Sequence, residues 1–307
     1  MKIINRRSAL TNADEFFKKS ASICVYLRLI LFCAFLAINP AFGQISPEIE
    51  LYAELIRRGN TEQKRTALLR LRGLESAEAS LAAVPALRDS AEIVRAPATH
   101  SVIFLPQDEA LRVLLPLLND RSEYVRREAA YALGEVGNPA AAQPLIKLML
   151  GDKQLSVRDA AAVALGTTGD INSAEFLTQY LKRRVKDTDD FLRRASARSI
   201  GQIAQRLNQA IKANPELFFP KETNLENRRL LAIEVFPALS NVSAVLIQTL
   251  QNPEEINDVK REAAWALGEI RDKRAFSVLQ QFLFDEDYYL AQIAAEAVRK
   301  IQTEQKK

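Results

Sequence analysis

From about residue 60 to residue 300 the chain repeats itself every 31 to 35 positions. A period of that length, with two helical patterns per unit, constrains the fold more than any single residue does. Each unit buries its apolar face only by stacking on its neighbours, so the chain is a helical solenoid. The register follows one basic residue, at Lys64, Arg95, Arg126, Arg158, Arg193, Arg228 and Lys260, with Ala291 in the same slot at the end. An acid lies six positions upstream at Asp89, Asp120, Asp152, Asp187, Glu222, Glu254 and Asp285, whereas Arg58 stands in that slot before Lys64.

Within a unit, Val125, Ala129, Ala132, Leu133 and Val136 fall on one stripe of a 3.6-residue helix, and the small alanines let neighbouring helices approach closely. Gly137, Asn138 and Pro139 supply a stop and a turn. A second apolar stripe then follows at Ala141, Leu145, Leu148 and Met149.

The acid followed by Val-Arg and an A-A-x-A-L-G helix, as at Asp120, Val125, Arg126, Ala129, Ala130, Ala132, Leu133 and Gly134, resembles the HEAT-repeat family. More narrowly, it is similar to the short bacterial repeats named after phycobilisome lyases. The resemblance covers residues 60 to 303 and implies an all-α, right-handed solenoid of about seven helix-turn-helix repeats. It also implies a structural ladder of hydrogen bonds between turns, carried by Asp89, Arg95, Asp120, Arg126, Asp152, Arg158, Asp187, Arg193, Glu254, Lys260 and Asp285. The pattern breaks near residues 205 to 224, where Pro215 and Pro220 interrupt a second helix. Phe218 and Phe219 are expected to plug the gap. The helix from Ala291 to Gln302 has no partner to follow it and is expected to close the stack.

Leu29 to Ile38 form an apolar run too short to span a bilayer. They fit the core of a secretory signal with a cut between Gly43 and Gln44. The expected layout is a signal at 1–43, a capping helix at 44–60 and the solenoid at 61–307, placed in the periplasm or secreted, with no membrane span after cleavage. Residues 1–43 carry the chain's whole net charge of +4 and both cysteines, Cys24 and Cys33, so the remainder is neutral and thiol-free. A neutral chain argues against nucleic-acid binding, which draws on Lys and Arg contacts to phosphate. The cluster at Arg193, Arg194 and Arg198 is read as a mixed, solvated surface, because Asp187, Asp189 and Asp190 lie beside it.

His100 is the only histidine, which excludes the multi-histidine iron site of the HEAT-repeat hydroxylases and leaves no standard zinc set. Nucleophile-elbow, phosphate-loop and zinc-helix motifs are absent. The chain is therefore expected to be a non-enzymatic scaffold, without cofactor or metal, monomeric or weakly associating, that holds a protein partner. By the family resemblance the second helices line the concave face, which puts the partner at Gln143, Lys147, Glu175, Gln179, Gln248, Gln280 and Gln281. A lyase-type bilin-handling protein and a cytosolic nucleic-acid-binding solenoid remain as alternatives.

Overall fold

The computed structural model describes residues 46–185, 189–218 and 231–302. The described residues from Leu51 onward form one compact unit. The expected export signal, Gln44, Asp187, Phe219, Pro220, Glu222 and Arg228 lie outside the described residues. Helix α1 is Pro47–Arg58, and everything below concerns the unit from Leu51 onward.

Among the described residues no strand occurs. First helices alternate with second ones: α2 (Thr61–Gly73) with α3 (Ala77–Ala83), α4 (Glu92–Ser101) with α5 (Gln107–Leu114), α6 (Glu123–Val136) with α7 (Ala142–Gly151), and α8 (Leu155–Thr168) with α9 (Ile171–Leu181). The long α10 (Asp190–Ala213) is followed by the short α11 (Ala232–Val235) and then α12 (Ala238–Gln251). The stack ends with α13 (Asn257–Ile270), α14 (Phe276–Gln281) and the unpaired α15 (Tyr288–Gln302). Among the described residues these make six helix pairs and a closing helix, whose buried Leu290, Ala294, Ala297 and Ile301 face the stack. No described helix is long and apolar enough to cross a membrane.

Local chemistry sets the ends. Asn60 and Gln63 form a reciprocal capping box at the start of α2. Pro85 and Pro116 turn the ends of the first two second helices into 3-10 segments, Val84–Arg88 and Leu115–Asn119. Gly137 and Gly169 end α6 and α8 at φ 67° and 71°, a left-handed geometry that glycine adopts without strain. Arg271 takes the same place after α13 at φ 60°.

The first helices α2, α4, α6, α8, α10, α13 and α15 pack successively in one row. Glycines permit the closest approach: a Cβ on Gly134 would lie 2.9 Å from Ala164 Cα, and one on Gly268 would lie 2.9 Å from Ala297 Cα. Fully buried Leu133, Leu165 and Leu267 seal these contacts, each contributing about 1.5–3 kcal/mol through burial.

A ladder of charged bonds runs along the turns. Lys64 Nζ meets Asp89 Oδ2 at 2.7 Å. Arg95 grips Asp120 with Nε and Nη2 at 2.9 and 2.8 Å, while its Nη1 donates to the Asp89 and Ser90 carbonyls. Arg126 repeats this with Asp152 and the Asp120 carbonyl. Each acid also accepts from the amide two residues on: Ala91, Ser122 and Gln154. Burial opposes the charge on Asp89, Asp120 and Asp152, but the bonds from the base and the amide outweigh it and hold all three below the ordinary aspartate range. Arg158 lies in the matching slot, but its expected partner Asp187 is outside the described residues.

Beyond this point the spacing misleads. Arg193 is not part of a solvated cluster; its side chain is 1% exposed and pairs with the fully buried carboxylate of Glu255, 62 residues on. Its guanidinium also donates to the carbonyls of Tyr180, Leu181 and Arg183. Glu254, the expected rung, is exposed. The turn after α12 is two residues longer than those that precede α4, α6 and α8, so Asn252 takes the capping slot and accepts from the Glu254 amide, while Glu255 takes the ion pair. Because α10 packs directly on α13, and α12 sits beside α9 in the second row, the residues from Arg193 to Lys260 build one enlarged unit rather than two. Its connection includes an edge-to-face contact of Phe218 with Phe236. In the last rung Lys260 and Asp285 are not brought together; Arg261 bonds Asp287 instead, and Asp285 caps the Asp287 amide.

Candidate functional site

The outer side of the first-helix row carries a repeated pairing of arginine and aromatic rings. In α6 and α10, an aromatic residue two positions before the ladder arginine lies one turn from an arginine one position after it. This sets Arg127 over Tyr124 at 5.2 Å and Arg194 over Phe191 at 5.0 Å. Between neighbouring helices, Arg198 covers Trp265 at 5.8 Å and Arg261 covers Tyr289 at 5.4 Å. Tyr289 is 64% exposed and Phe191 44%. Trp265 packs against Gly201, yet it is only half-buried and also reaches the surface.

Three hollows follow this row. The first, 510 Å³, lies among α2, α4 and α6 and is walled by Leu69, Ile93, Tyr124 and His100. His100 is no bare helix-face residue: Nε2 lies 2.9 Å from Glu128 Oε2 and Nδ1 lies 3.2 Å from Glu135 Oε1. The bond from His100 is the main reason that the Glu128 carboxyl sits below its ordinary range. The second hollow, 340 Å³, is lined by Arg127, Glu128, Tyr131, Ser156, Asp159 and Phe191. The third, 350 Å³, is lined by Arg194, Arg198, Glu262, Trp265 and Ile293 among others.

Asp159 is the odd group on this face. Its Oδ1 is buried and accepts no hydrogen bond. Burial pushes the carboxyl up to about 6, partly opposed by Arg158 and reinforced by Asp189. The folded value lies above the ordinary 3.8, so the folded protein holds the proton more tightly than the unfolded chain does. Stability from this group is therefore greatest below pH 4 and is lost as pH rises through 6. A shift of this size corresponds to about 3 kcal/mol, reduced to roughly 1–2 by solvent screening of a partly exposed group. Asp159→Asn is expected to raise unfolding stability by that amount at pH 8 and to change it little at pH 4. Urea midpoints at the two pH values check this; an equal effect at both would remove the assignment.

The seven residues expected at the partner surface are all exposed on second helices. Gln143 and Lys147 line a groove of 1130 Å³ together with Arg112, Pro116 and Asn119. Glu175 and Gln179 lie on α9, Gln248 on α12, and Gln280 and Gln281 on α14. The arginine and aromatic pairs lie on the first helices instead, and the motifs YVRR and FLRR at Tyr124 and Phe191 carry the sequence signal of two of them.

Stacked helix pairs with a ladder of turn-to-turn ion pairs define a helical-repeat solenoid. The model of HEAT repeats matches residues 111–201 and 243–307, just over half of the sequence. The chain belongs to the HEAT-repeat family. Among its relatives, the deoxyhypusine hydroxylase of Kluyveromyces lactis is 36% identical over 81 residues, which is 25% of either protein. The chain thus spans a quarter of that relative's length. The deoxyhypusine hydroxylase of Arabidopsis thaliana is 28% identical over 224 residues, 71% of this chain and 68% of the relative. The complex of CpcE and CpcF of the phycocyanin lyase from a Nostoc species is 18% identical, with a TM-score of 0.46, covering 87% of this chain and 98% of that one.

These relatives correct one expectation. The chain was read as not being an enzyme, whereas both sequence relatives carry an enzyme's name. A multi-histidine iron site, as in the hydroxylases of this family, does not fit the residues present. The single His100 is bonded to Glu128 through Nε2, and among the described residues no group of three or more His, Cys, Asp or Glu is arranged to hold a metal ion.

Proposed function

We propose that this chain holds a protein partner along the exposed side of its first helices. The observation that carries this reading is the run of arginine and aromatic pairs at Tyr124, Phe191, Trp265 and Tyr289. Aromatic residues and arginine are enriched at interfaces and supply most binding hot spots. Rings already held by a stacked guanidinium lose little freedom on binding. The arginines here are largely neutralised, Arg194 by Asp258, Arg198 by Glu262 and Arg261 by Asp287. That balance suits a protein surface better than a phosphate backbone.

The second-helix groove at Gln143 and Lys147 is the competing surface, since it is larger but carries no aromatic side chain. A photo-cross-linking residue placed in turn at Tyr124, Phe191, Tyr289, Gln143, Gln179 and Gln248, in the native host, separates the two. Adducts from the first three sites alone are expected, and Arg127→Glu with Arg194→Glu is expected to weaken capture about tenfold or more, as loss of hot-spot contacts does. Adducts from the glutamine sites alone would move the interface to the second helices, and adducts from neither would end the reading. Residues 1–43 are proposed as an export signal on the strength of the apolar run at Leu29–Ile38; the mass of the captured chain tests it, because cleavage leaves Gln44 first.

A further inference from the structure

We propose that the hollow between Tyr131, Asp159 and Phe191 receives a basic side chain, lysine or arginine, of the protein partner. The inference rests on the reading that a protein lies along the first helices, and it assigns the chemistry of one contact. Asp159 lines the hollow, yet one of its oxygens is buried with no hydrogen bond. A buried carboxylate left without a partner is costly, and an incoming cation removes that cost. Two aromatic side chains, Tyr131 and Phe191, stand beside it. Carboxylate and ring together form the surroundings that favour an ammonium or guanidinium group.

The charged neighbours leave this role open. On the same helix Arg158 precedes Asp159 and lowers its pKa only in part. From α6, Arg127 lines the hollow but is engaged by Tyr124 and Glu128, and Glu128 is held by His100. From the start of α10, Asp189 adds negative charge and raises the Asp159 pKa. Arg194 stacks on Phe191 but bonds Asp258. The hollow thus offers net negative charge beside aromatic surface, and a cation from outside completes it.

The test uses the full chain labelled with carbonyl-carbon-13 aspartate and titrated with hexalysine. The Asp159 signal is identified as the one missing from Asp159→Asn. Its titration midpoint is expected to fall by about one unit when the peptide is bound, as an adjacent opposite charge requires. Linkage then makes hexalysine bind about tenfold more tightly to the ionised form. Asp159→Asn should accordingly bind it about tenfold more weakly than the parent at pH 8 and equally at pH 4.5. Phe191→Ala should also weaken binding at pH 8, with hexaglutamate unaffected by either change. An unmoved Asp159 midpoint together with equal affinity of Asp159→Asn at pH 8 overturns the proposal. Should that happen while cross-links from Tyr124 and Tyr289 persist, the partner surface stands and only this contact falls. Absent cross-links with an intact hexalysine response would sink the partner surface alone.

Discussion

Replacing Arg193 with alanine is expected to destabilise the solenoid by about 3–5 kcal/mol, the cost of leaving a buried charge unpaired. Arg193 and Glu255 are 1% and 0% exposed, so water cannot take over the lost bonds. The same guanidinium satisfies carbonyls of Tyr180, Leu181 and Arg183 at the end of the preceding unit. One side chain therefore joins the fourth unit to the turn that opens the sixth. Because a solenoid is held by nearest-neighbour contacts, the damage is expected to be local in kind but large in consequence. Urea unfolding should change from one transition to two, with residues before about 185 separating from those after 231. The double replacement Arg193→Met with Glu255→Leu should recover most of the loss, since apolar residues of similar volume often substitute for a buried pair without cost. A single transition with a loss under about 1 kcal/mol for Arg193→Ala would show that the pair is dispensable.

Gly134→Val is expected to be nearly as damaging, at about 3 kcal/mol or somewhat more, through overpacking. A Cβ at Gly134 meets Ala164 at its Cα, 2.9 Å away, and Thr167 Oγ1 at 3.1 Å. Backbone cannot swing aside as a flexible side chain does, so α6 and α8 must separate. That movement also breaks the bond from Thr167 Oγ1 to the Gly134 carbonyl. Gly134→Ala pits a helix-propensity gain of about 1 kcal/mol against the same contact and is expected to lose overall by about 1 kcal/mol. Gly151 provides the contrast: it ends α7, and a Cβ there meets nothing within 4 Å. Gly151→Ala should therefore be neutral or stabilising by up to about 1 kcal/mol. Thermal or urea midpoints of the three variants decide the matter, and a stable Gly134→Val would mean that the first helices need no glycine to pack.

Much of this was legible beforehand for a physical reason. In the regular units the apolar stripe, the glycine stop and the acid and base are local features, and identical units place identical residues at identical contacts. That is why the rungs Arg95 with Asp120 and Arg126 with Asp152 could be located by counting. Counting failed where the connection lengthened. Loop closure costs little more as a loop grows, so the chain inserts residues between α10 and α12 without altering the stack, and the six-residue offset then points at Glu222 and Glu254 rather than Glu255. The two candidate surfaces differ in how far they show in the sequence. Second helices show runs of polar residues; the pairs Arg127 with Tyr124 and Arg194 with Phe191 lie within single helices, whereas Arg198 with Trp265 and Arg261 with Tyr289 appear only when separate helices lie side by side.

The sequence by itself determined that the chain is a stack of helix pairs, because the period and the amphipathic stripes act within single units and between adjacent ones. Only the tertiary structure decided which acid meets Arg193, which residues gather in each hollow and that Asp159 is left with an unpaired oxygen. Those outcomes depend on how helices pack across long and unequal separations, where distance along the chain no longer fixes distance in space.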